Sequence, residues 1–339
     1  MTGLTLPPCG VPATAPAPRR YVVLGGRGFI GARLVALLAA TGVNVRSFDR
    51  VPPPAVPATT TPDPANVEHI VGDATKPDDL RQALEGADVC FLLLSSTIPQ
   101  TSNEAPIMDA TSAILGSLAV FDACRRAGVR KIVYLSSGGT VYGCARYLPI
   151  DEDHPTDPLC AYGVSRLAVE KYLRLQNALY GMDYCILRAS NIYGPGQRLE
   201  AAQGAVGVFM GRLLNGRPIE LWGDGSVVRD YLHVDDLVRA LVAAAEPHGD
   251  RHLFNVGSGV GHSLNELLEA LQEVIGLAPA TNRHPGRSFD VPANVLDIRA
   301  AAAYLGWTPR IDLIRGLRMT WEYLVAAPLQ ATEEKLRGA

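Results

Sequence analysis

The chain is short of several things, and each shortage excludes a class of function. It has no excess of positive charge: 31 lysines and arginines face 34 aspartates and glutamates, a formal net charge of −3. No basic field therefore exists to hold a nucleic-acid backbone or an anionic membrane, and any bound anion must meet local arginines. No run of 18 or more apolar residues occurs, so no membrane-spanning helix is expected. The six cysteines, Cys9, Cys90, Cys124, Cys144, Cys160 and Cys185, form no C-x-x-C pair, and the seven histidines add no metal-ligand spacing. Neither a metal centre nor a disulfide framework is expected, and free thiols suit a reducing, cytoplasmic setting. Cys144 and Cys160, which flank segments discussed below, read as small apolar fillers. Residues 1–19 lack a continuous apolar stretch and are rich in Pro and Ala, giving the expectation of a mobile leader rather than a signal peptide.

What the sequence does have begins with glycine. Residues 21–31, YVVLGGRGFIG, run from apolar strand through a tight turn into a helix. Gly25 and Gly26 let the chain reverse, Gly28 lets backbone N–H groups approach a phosphate, and Gly31 lets the helix pack close to the strand. Phe29 and Ile30 open that helix, whose unpaired N–H groups and dipole would face a pyrophosphate. The glycine spacing alone also fits an ordinary turn, and its setting decides the matter. Residues 43–48 form a second strand ending at Asp49, near the spacing at which an acid meets the adenine ribose hydroxyls, so a dinucleotide is expected. Asp49 would repel a 2′-phosphate, which favours NAD over NADP, while Arg27 and Arg50 nearby pull the other way.

The hydrophobic content of 47% in 339 residues is enough for a large core. After Arg50 a proline-rich stretch, VPPPAVPATTTPDP, predicts a surface loop. A strand over 67–71 then ends at Gly72-Asp73. Asp73, followed by Ala74, is a candidate for the adenine amino group or, equally on spacing, a turn or capping aspartate. A short helix over 79–84, a buried strand over 88–94 ending at Leu94, a long helix over 107–126 and a strand over 131–136 follow. This alternation predicts an α/β fold, a doubly wound parallel sheet of Rossmann type with ligands at the carboxyl ends of its strands. From residue 191 the pattern loosens into a smaller mixed lobe, with helices over 206–214, 265–275 and 311–326 and short strands near Ile219 and His252. The expected organisation is a leader at 1–19, a dinucleotide-binding domain at 20–190, a mainly substrate-binding lobe at 191–327 and a tail at 328–339, with a cleft between the lobes.

Further blocks carry the chemistry: SSGGTVYG at 136–143, AYGVSRLAVEKYL at 161–173, NIYGPGQR at 191–198, WGDGSVVRDYLHVDDLVRA at 222–240 and PGRSFDVP at 285–292. With the glycine turn and Asp49, these blocks resemble an extended short-chain dehydrogenase/reductase of the nucleotide-sugar epimerase/dehydratase type, over residues 20–327. The resemblance implies tightly held NAD, contacted by Gly25, Gly28, Phe29, Ile30, Gly31, Asp49, Arg50, Asp73, Ala74 and Leu94, and a Tyr-x-x-x-Lys pair aided by a Ser or Thr. Tyr162 matches the tyrosine, which takes a proton from a sugar hydroxyl as hydride leaves the carbon. Arg166 stands where the lysine would be, one helical turn on and on the same face. A free phenol titrates near 10, and poising one near 7 takes about 4 kcal/mol. A unit charge about 5 Å away supplies about 3 kcal/mol at an effective dielectric near 20. The guanidinium can supply that charge, but it is planar, bulkier and never deprotonated.

Two more departures from the family pattern stand out. Gly138 holds the position where members often carry the catalytic hydroxyl, leaving Ser137, the favoured candidate, and Thr140. Near Ala113 to Gly116, no Asn precedes the glycine as it usually does in members, so a contact that helps hold the catalytic end of the cofactor is expected to be missing. The segment SSGGT also lacks the carboxylates that dehydrating members carry, which favours epimerisation or plain redox chemistry over 4,6-dehydration. Asn191, Arg229 and Arg287 resemble the family's diphosphate contacts. On the residues alone, Arg229 also suits an ion pair with Asp230 or Asp235, and Arg287 a solvated loop. Asp235-Asp236 reads as the N-terminal cap of a helix. The activity implied is NAD-dependent C4 epimerisation of a nucleotide-diphosphate sugar, a UDP-sugar, through a 4-keto intermediate. The alternatives are a nucleotide-sugar 4-ketoreductase or a catalytically impaired dinucleotide-binding sensor. The resemblance also implies a homodimer through the helices at 107–126 and 162–180, and neither a nucleic-acid nor a membrane partner is expected.

Overall fold

The computed structural model describes residues 19–52, 64–95, 97, 99–199, 204–286 and 291–337, with side chains described through Ala326. The first half alternates regularly: β1 (Arg20–Leu24), α1 (Phe29–Ala40), β2 (Asn44–Asp49), β3 (Val67–Val71), α2 (Pro77–Leu84) and β4 (Val89–Leu92). Next come α3 (Pro99–Glu104), α4 (Pro106–Ala110), a π-helical turn (Thr111–Leu115), α5 (Gly116–Ala127), β5 (Lys131–Ser137), α6 (Ala161–Tyr180) and β6 (Asp183–Ala189). The second half holds β7 (Asn191–Tyr193), α7 (Ala205–Leu214), β8 (Ile219–Trp222), β9 (Val228–His233), α8 (Val234–Ala245) and β10 (Leu253–Val256). It closes with β11 (Gly261–Ser263), α9 (Leu264–Ile275), β12 (Thr281–His284), β13 (Ala293–Asn294), α10 (Arg299–Leu305) and α11 (Leu313–Arg337).

Seven parallel strands form the main sheet in the order β10-β6-β5-β4-β1-β2-β3. The inner strands β1 and β4 are apolar on both faces because helices cover both, whereas the edge strand β3 is buried only at Ile70. In β1, Tyr21 and Val23 join the cluster built on Leu34, Leu38, Leu237 and Leu241 of α1 and α8. Val22 and Leu24 point the other way, into the cluster of Leu80, Phe121, Val169 and Leu173 from α2, α5 and α6, as strand alternation requires. Each such side chain, fully buried, contributes about 1.5–3 kcal/mol. Because β1 lies between β2 and β4, the crossovers on its two sides diverge and leave a crevice at the carboxyl ends.

Segments from inside 191–327 return to this sheet. Strand β10 pairs with β6, and α8 packs against α1. The other elements there form a smaller body, with β7, β11 and β13 paired to β9, and β8 paired to β12. It is held by Val206, Met210, Leu267, Leu271 and Leu317.

Three local expectations need correction. Helix α8 is capped by His233, whose Nδ1 accepts the N–H of Asp235 at 3.2 Å. Asp236 is instead fully buried and accepts the N–H groups of Arg310 and Ile311, each at 2.9 Å. Helix α11 runs on to Arg337 rather than stopping near 326. The helical run Pro106–Ala127 has, by length and a mean hydropathy of 1.4, what a membrane crossing requires. The absence of an unbroken apolar run did not predict this, because Asp109, Thr111, Ser112 and Ser117 interrupt the apolar sequence without breaking the helix. The run packs on α2 and α6, with Asp109 and Ser117 buried.

Candidate active site

At the carboxyl edge of the sheet the glycine turn is closed by backbone bonds. Gly25 and Gly26 donate to the Phe48 carbonyl at 2.9 and 3.1 Å, and Gly28 donates to Gly25 at 3.0 Å. Gly25 has φ 87, a conformation that L side chains rarely adopt. A Cβ on Gly31 would sit 2.0 Å from the Gly25 carbonyl oxygen, so no side chain fits there. Helix α1 starts after Gly28 with no side-chain cap and no acid in its first turn, which leaves its N-terminal N–H groups to an anion.

The neighbouring strand ends converge on this turn. Asp49, ending β2, accepts the N–H groups of Arg27 at 3.1 Å and Val51 at 3.3 Å, and Arg50 beside it is exposed. Asp73 follows β3, and its Oδ1 takes the N–H and hydroxyl of Thr75, each at 2.9 Å. Those bonds hold the Asp73 carboxyl below the usual range. The turn reading of Asp73 therefore holds for this oxygen. Its own N–H is held by Asp79 at 2.8 Å, a contact sequence reasoning missed because Asp79 reads as a helix-start acid. Ala74 and Leu94 are partly buried against the core beneath this edge. The Leu93 carbonyl lies 3.3 Å from where a Cβ on Gly25 would stand. A cradle of backbone donors with no room for side chains, rimmed by Asp49 and Asp73, fits a dinucleotide.

Tyr162 lies in the first turn of α6. One turn on, Arg166 is 6% exposed, and its guanidinium carbon lies 4.7 Å from the Tyr162 ring centre and 5.7 Å from that of Tyr134. It donates to the Tyr134 hydroxyl and to the Leu135 carbonyl, each at 3.3 Å. Burial opposes the charge, but the Tyr134 and Tyr162 oxygens more than offset it, and the guanidinium holds its proton more tightly than usual. Glu170, a further turn on, does not neutralise it. That carboxylate is engaged by Arg188 at 2.6 Å and by the Ser136 hydroxyl at 2.5 Å. Tyr134 was missed as a site residue because it lies inside an apolar strand run.

The hydroxyl candidates lie where β5 ends. A Cβ on Gly138 would stand 2.7 Å from Cδ1 of Leu296, so Leu296 fills the space in which a side chain at 138 would lie. Among the described residues, a Cβ on Gly139 would meet only Ser137 Oγ at 3.9 Å and Asn191 Oδ1 at 4.0 Å. Those two polar atoms thus flank an open spot. The Thr140 hydroxyl is buried with no hydrogen-bond partner among the described residues. Its carbonyl packs against Gly163, beside Tyr162. Asn191 is fixed through its Nδ2 to the Asp230 carbonyl at 3.3 Å. Arg229 donates from Nη1 to the carbonyls of Val228 and Val291 at 2.9 and 2.7 Å, bracing the loop before β13. Arg287 lies outside the described residues.

A family model described as "NAD dependent epimerase/dehydratase family" matches residues 21–257. The chain is 36% identical over 306 residues to the UDP-glucose 4-epimerase of Mycolicibacterium smegmatis, covering 90% of this chain and 98% of that protein. The structure of UDP-glucose 4-epimerase from Thermotoga maritima with UDP-glucose superposes with a TM-score of 0.83 at 32% identity, covering 91% of this chain and 99% of that one. The Thermus thermophilus UDP-glucose 4-epimerase in complex with NAD gives a TM-score of 0.81 at 31% identity, with the same coverage of 91% and 99%.

Proposed function

Because the chain belongs to the NAD dependent epimerase/dehydratase family, we propose that it is an NAD-dependent nucleotide-sugar 4-epimerase acting on a UDP-sugar, with a Tyr-x-x-x-Arg pair in place of Tyr-x-x-x-Lys. The observation that carries this reading is the Arg166 guanidinium 4.7 Å over the Tyr162 ring, buried and without an ion-pair partner among the described residues. The turn at Gly25, Gly28 and Gly31, with Phe29 and Ile30 behind it, would hold the cofactor's phosphates. Asp49, Arg50, Asp73, Ala74 and Leu94 would hold its adenosine end. When bound, NAD supplies the hydride acceptor and donor at the sugar carbon.

Tyr162 takes the proton of the C4 hydroxyl as the C4 hydride leaves, giving a 4-keto sugar, and returns the proton when hydride comes back to C4 after the sugar has turned in the cleft. Arg166 stabilises the phenolate while that proton is away. Ser137 donates a hydrogen bond to the C4 oxygen, supported by its place opposite Asn191, and Thr140, whose hydroxyl has no partner among the described residues, is the second candidate. Asn191, Arg229 and Arg287 anchor the diphosphate, an assignment supported by the family pattern. A homodimer belongs to the same reading, a second copy covering the exposed Ile107, Met108 and Leu115 and the exposed Val164, Leu175 and Leu179 of α6. A cytoplasmic site of action accords with the free Cys90, Cys124, Cys144, Cys160 and Cys185.

The test is incubation of the purified protein with NAD and a panel of UDP- and dTDP-sugars, followed by separation of C4 epimers. Epimer formation that Tyr162→Phe abolishes without loss of NAD binding is the expected result. Net oxidation of NADH on a 4-keto sugar would identify a ketoreductase instead, and NAD binding with no turnover of any sugar would refute the enzyme.

A further inference from the structure

Helix α6 starts with backbone N–H groups that no helical carbonyl can accept. Two of them are taken by side chains of α3. The Ala161 N–H donates to Asn103 Oδ1 at 2.9 Å, and that of Tyr162 donates to Ser102 Oγ at 3.0 Å. One turn later the Ser165 hydroxyl donates to Asp109 Oδ2 at 2.6 Å, while the Thr97 hydroxyl donates to the other oxygen of Asp109. Ser102 and Asp109 are fully buried and Ser165 is nearly so. A residue just before a helix caps it wherever the helix happens to lie. A cap from another element fixes the helix end relative to that element. Here that element lies directly downstream of β4, whose end abuts the glycine turn. The clamp therefore ties the cofactor edge of the sheet to the first turn of α6, and one of its bonds falls on the N–H of Tyr162 itself.

We propose that Ser102, Asn103 and Asp109 are positioning residues that set the depth and rotation of Tyr162 against the cofactor edge. This rests on Tyr162 being the catalytic base. A reacting group displaced by about 1 Å loses about 100-fold in rate, so a clamp on its backbone bears on chemistry as well as on stability.

The experiment uses the full-length protein with NAD and the nucleotide sugar it epimerises. Ser102→Ala and Asn103→Ala remove the acceptors, singly and together, and Asn103→Asp keeps one. The paired variant is expected to lose about 10- to 100-fold in kcat with KM for the sugar and Kd for NAD unchanged, and Asn103→Asp to match the wild type. Where the pair fails to fold, the single variants carry the same comparison with smaller losses. An unchanged kcat, or a loss of kcat matched by equal loss of NAD binding, overturns the proposal. Should the wild type epimerise no sugar, the proposed function fails by itself. Positioning is then read by ultraviolet difference titration of each variant against its Tyr162→Phe counterpart. A phenol midpoint displaced in Asn103→Ala but not in Asn103→Asp supports the clamp, and identical midpoints overturn it.

Discussion

Arg166→Met separates the charge beside the tyrosine from the volume that fills the site. Methionine keeps an unbranched apolar stem and removes the cation. With the guanidinium carbon 4.7 Å from the Tyr162 ring centre, a unit charge stabilises a phenolate there by about 3.5 kcal/mol at an effective dielectric of about 20. That corresponds to roughly 400-fold in kcat at neutral pH. Glu170 does not reduce the figure, because its carboxylate is engaged by Arg188 and Ser136. The substitution also leaves the buried Tyr134 hydroxyl without its donor, costing about 1–3 kcal/mol of stability, so the assay must run well below the melting temperature. The measurement is kcat at saturating sugar across about pH 6 to 10. Wild type, Arg166→Met and Arg166→Lys are compared, and the lysine variant is expected to stay within about tenfold of wild type because the charge remains. If Arg166→Met stays within about threefold of the wild type at neutral pH, the electrostatic account of this site is wrong.

Gly138→Ser places a Cβ 2.7 Å from Leu296 Cδ1 and 3.1 Å from the Arg188 carbonyl oxygen; denaturant melts should show about 1–3 kcal/mol of lost stability from overpacking, partly recovered by Leu296→Ala, and no gain in kcat. Asp49→Ser removes a charge that would face a dianionic 2′-phosphate, a repulsion of about 2 kcal/mol at contact distance in water. The ratio of NADP to NAD affinity should then rise roughly 30-fold, and an unchanged ratio in paired titrations would place the discrimination elsewhere. Burial lowers His248 and His233 below the ordinary 6.5, so the folded chain keeps both imidazoles neutral where the unfolded chain takes up protons. Their contribution to stability is complete above pH 6.5 and is lost as pH falls toward their folded-state values. His248→Gln should flatten the decline in unfolding free energy between neutral and mildly acidic pH, and an unaltered slope would exclude His248 as a source.

Features legible in the sequence were those whose signal is local. The strands β1, β4 and β5 are short apolar runs, and the glycine turn holds its whole logic within residues 25–31, including the spacing that packs Gly31 onto Gly25. The acidic pair at 235–236 misled because acids at a helix start look like caps. Here the preceding His233 takes the N–H, and Asp236 is drawn inward by Arg310 and Ile311. Strand β10 was harder to place, since a run as short as Leu253–Val256 carries no mark of which sheet it joins. Helix α3, PQTSNE, has no apolar periodicity at all, and the two polar residues that matter in it serve a helix whose first residue is 58 positions away.

Gly138 shows why a departure from a family pattern cannot be weighed one position at a time. Read alone, a glycine where a hydroxyl is expected is a loss. In the fold, the space beyond Gly138 is filled by Leu296, which is fully buried with Val141, Tyr142 and Ile150, and the Gly138 carbonyl accepts Asn294 Nδ2 across 156 residues of chain. The glycine is therefore required by the packing of β13 and the chain after it against the end of β5. Any hydroxyl serving the sugar must come from a neighbour whose side chain points into the open spot. Ser137 is the one proposed, its Oγ lying 3.9 Å from where a Cβ on Gly139 would stand. The same reasoning applies to Arg166: among the described residues its guanidinium has no ion-pair partner, and its anchors are the Tyr134 hydroxyl and the Leu135 carbonyl. Both neutral anchors leave the positive charge uncompensated where a phenolate would form. An arginine retained only to complete an ion pair would have a carboxylate within reach, as Arg188 has in Glu170.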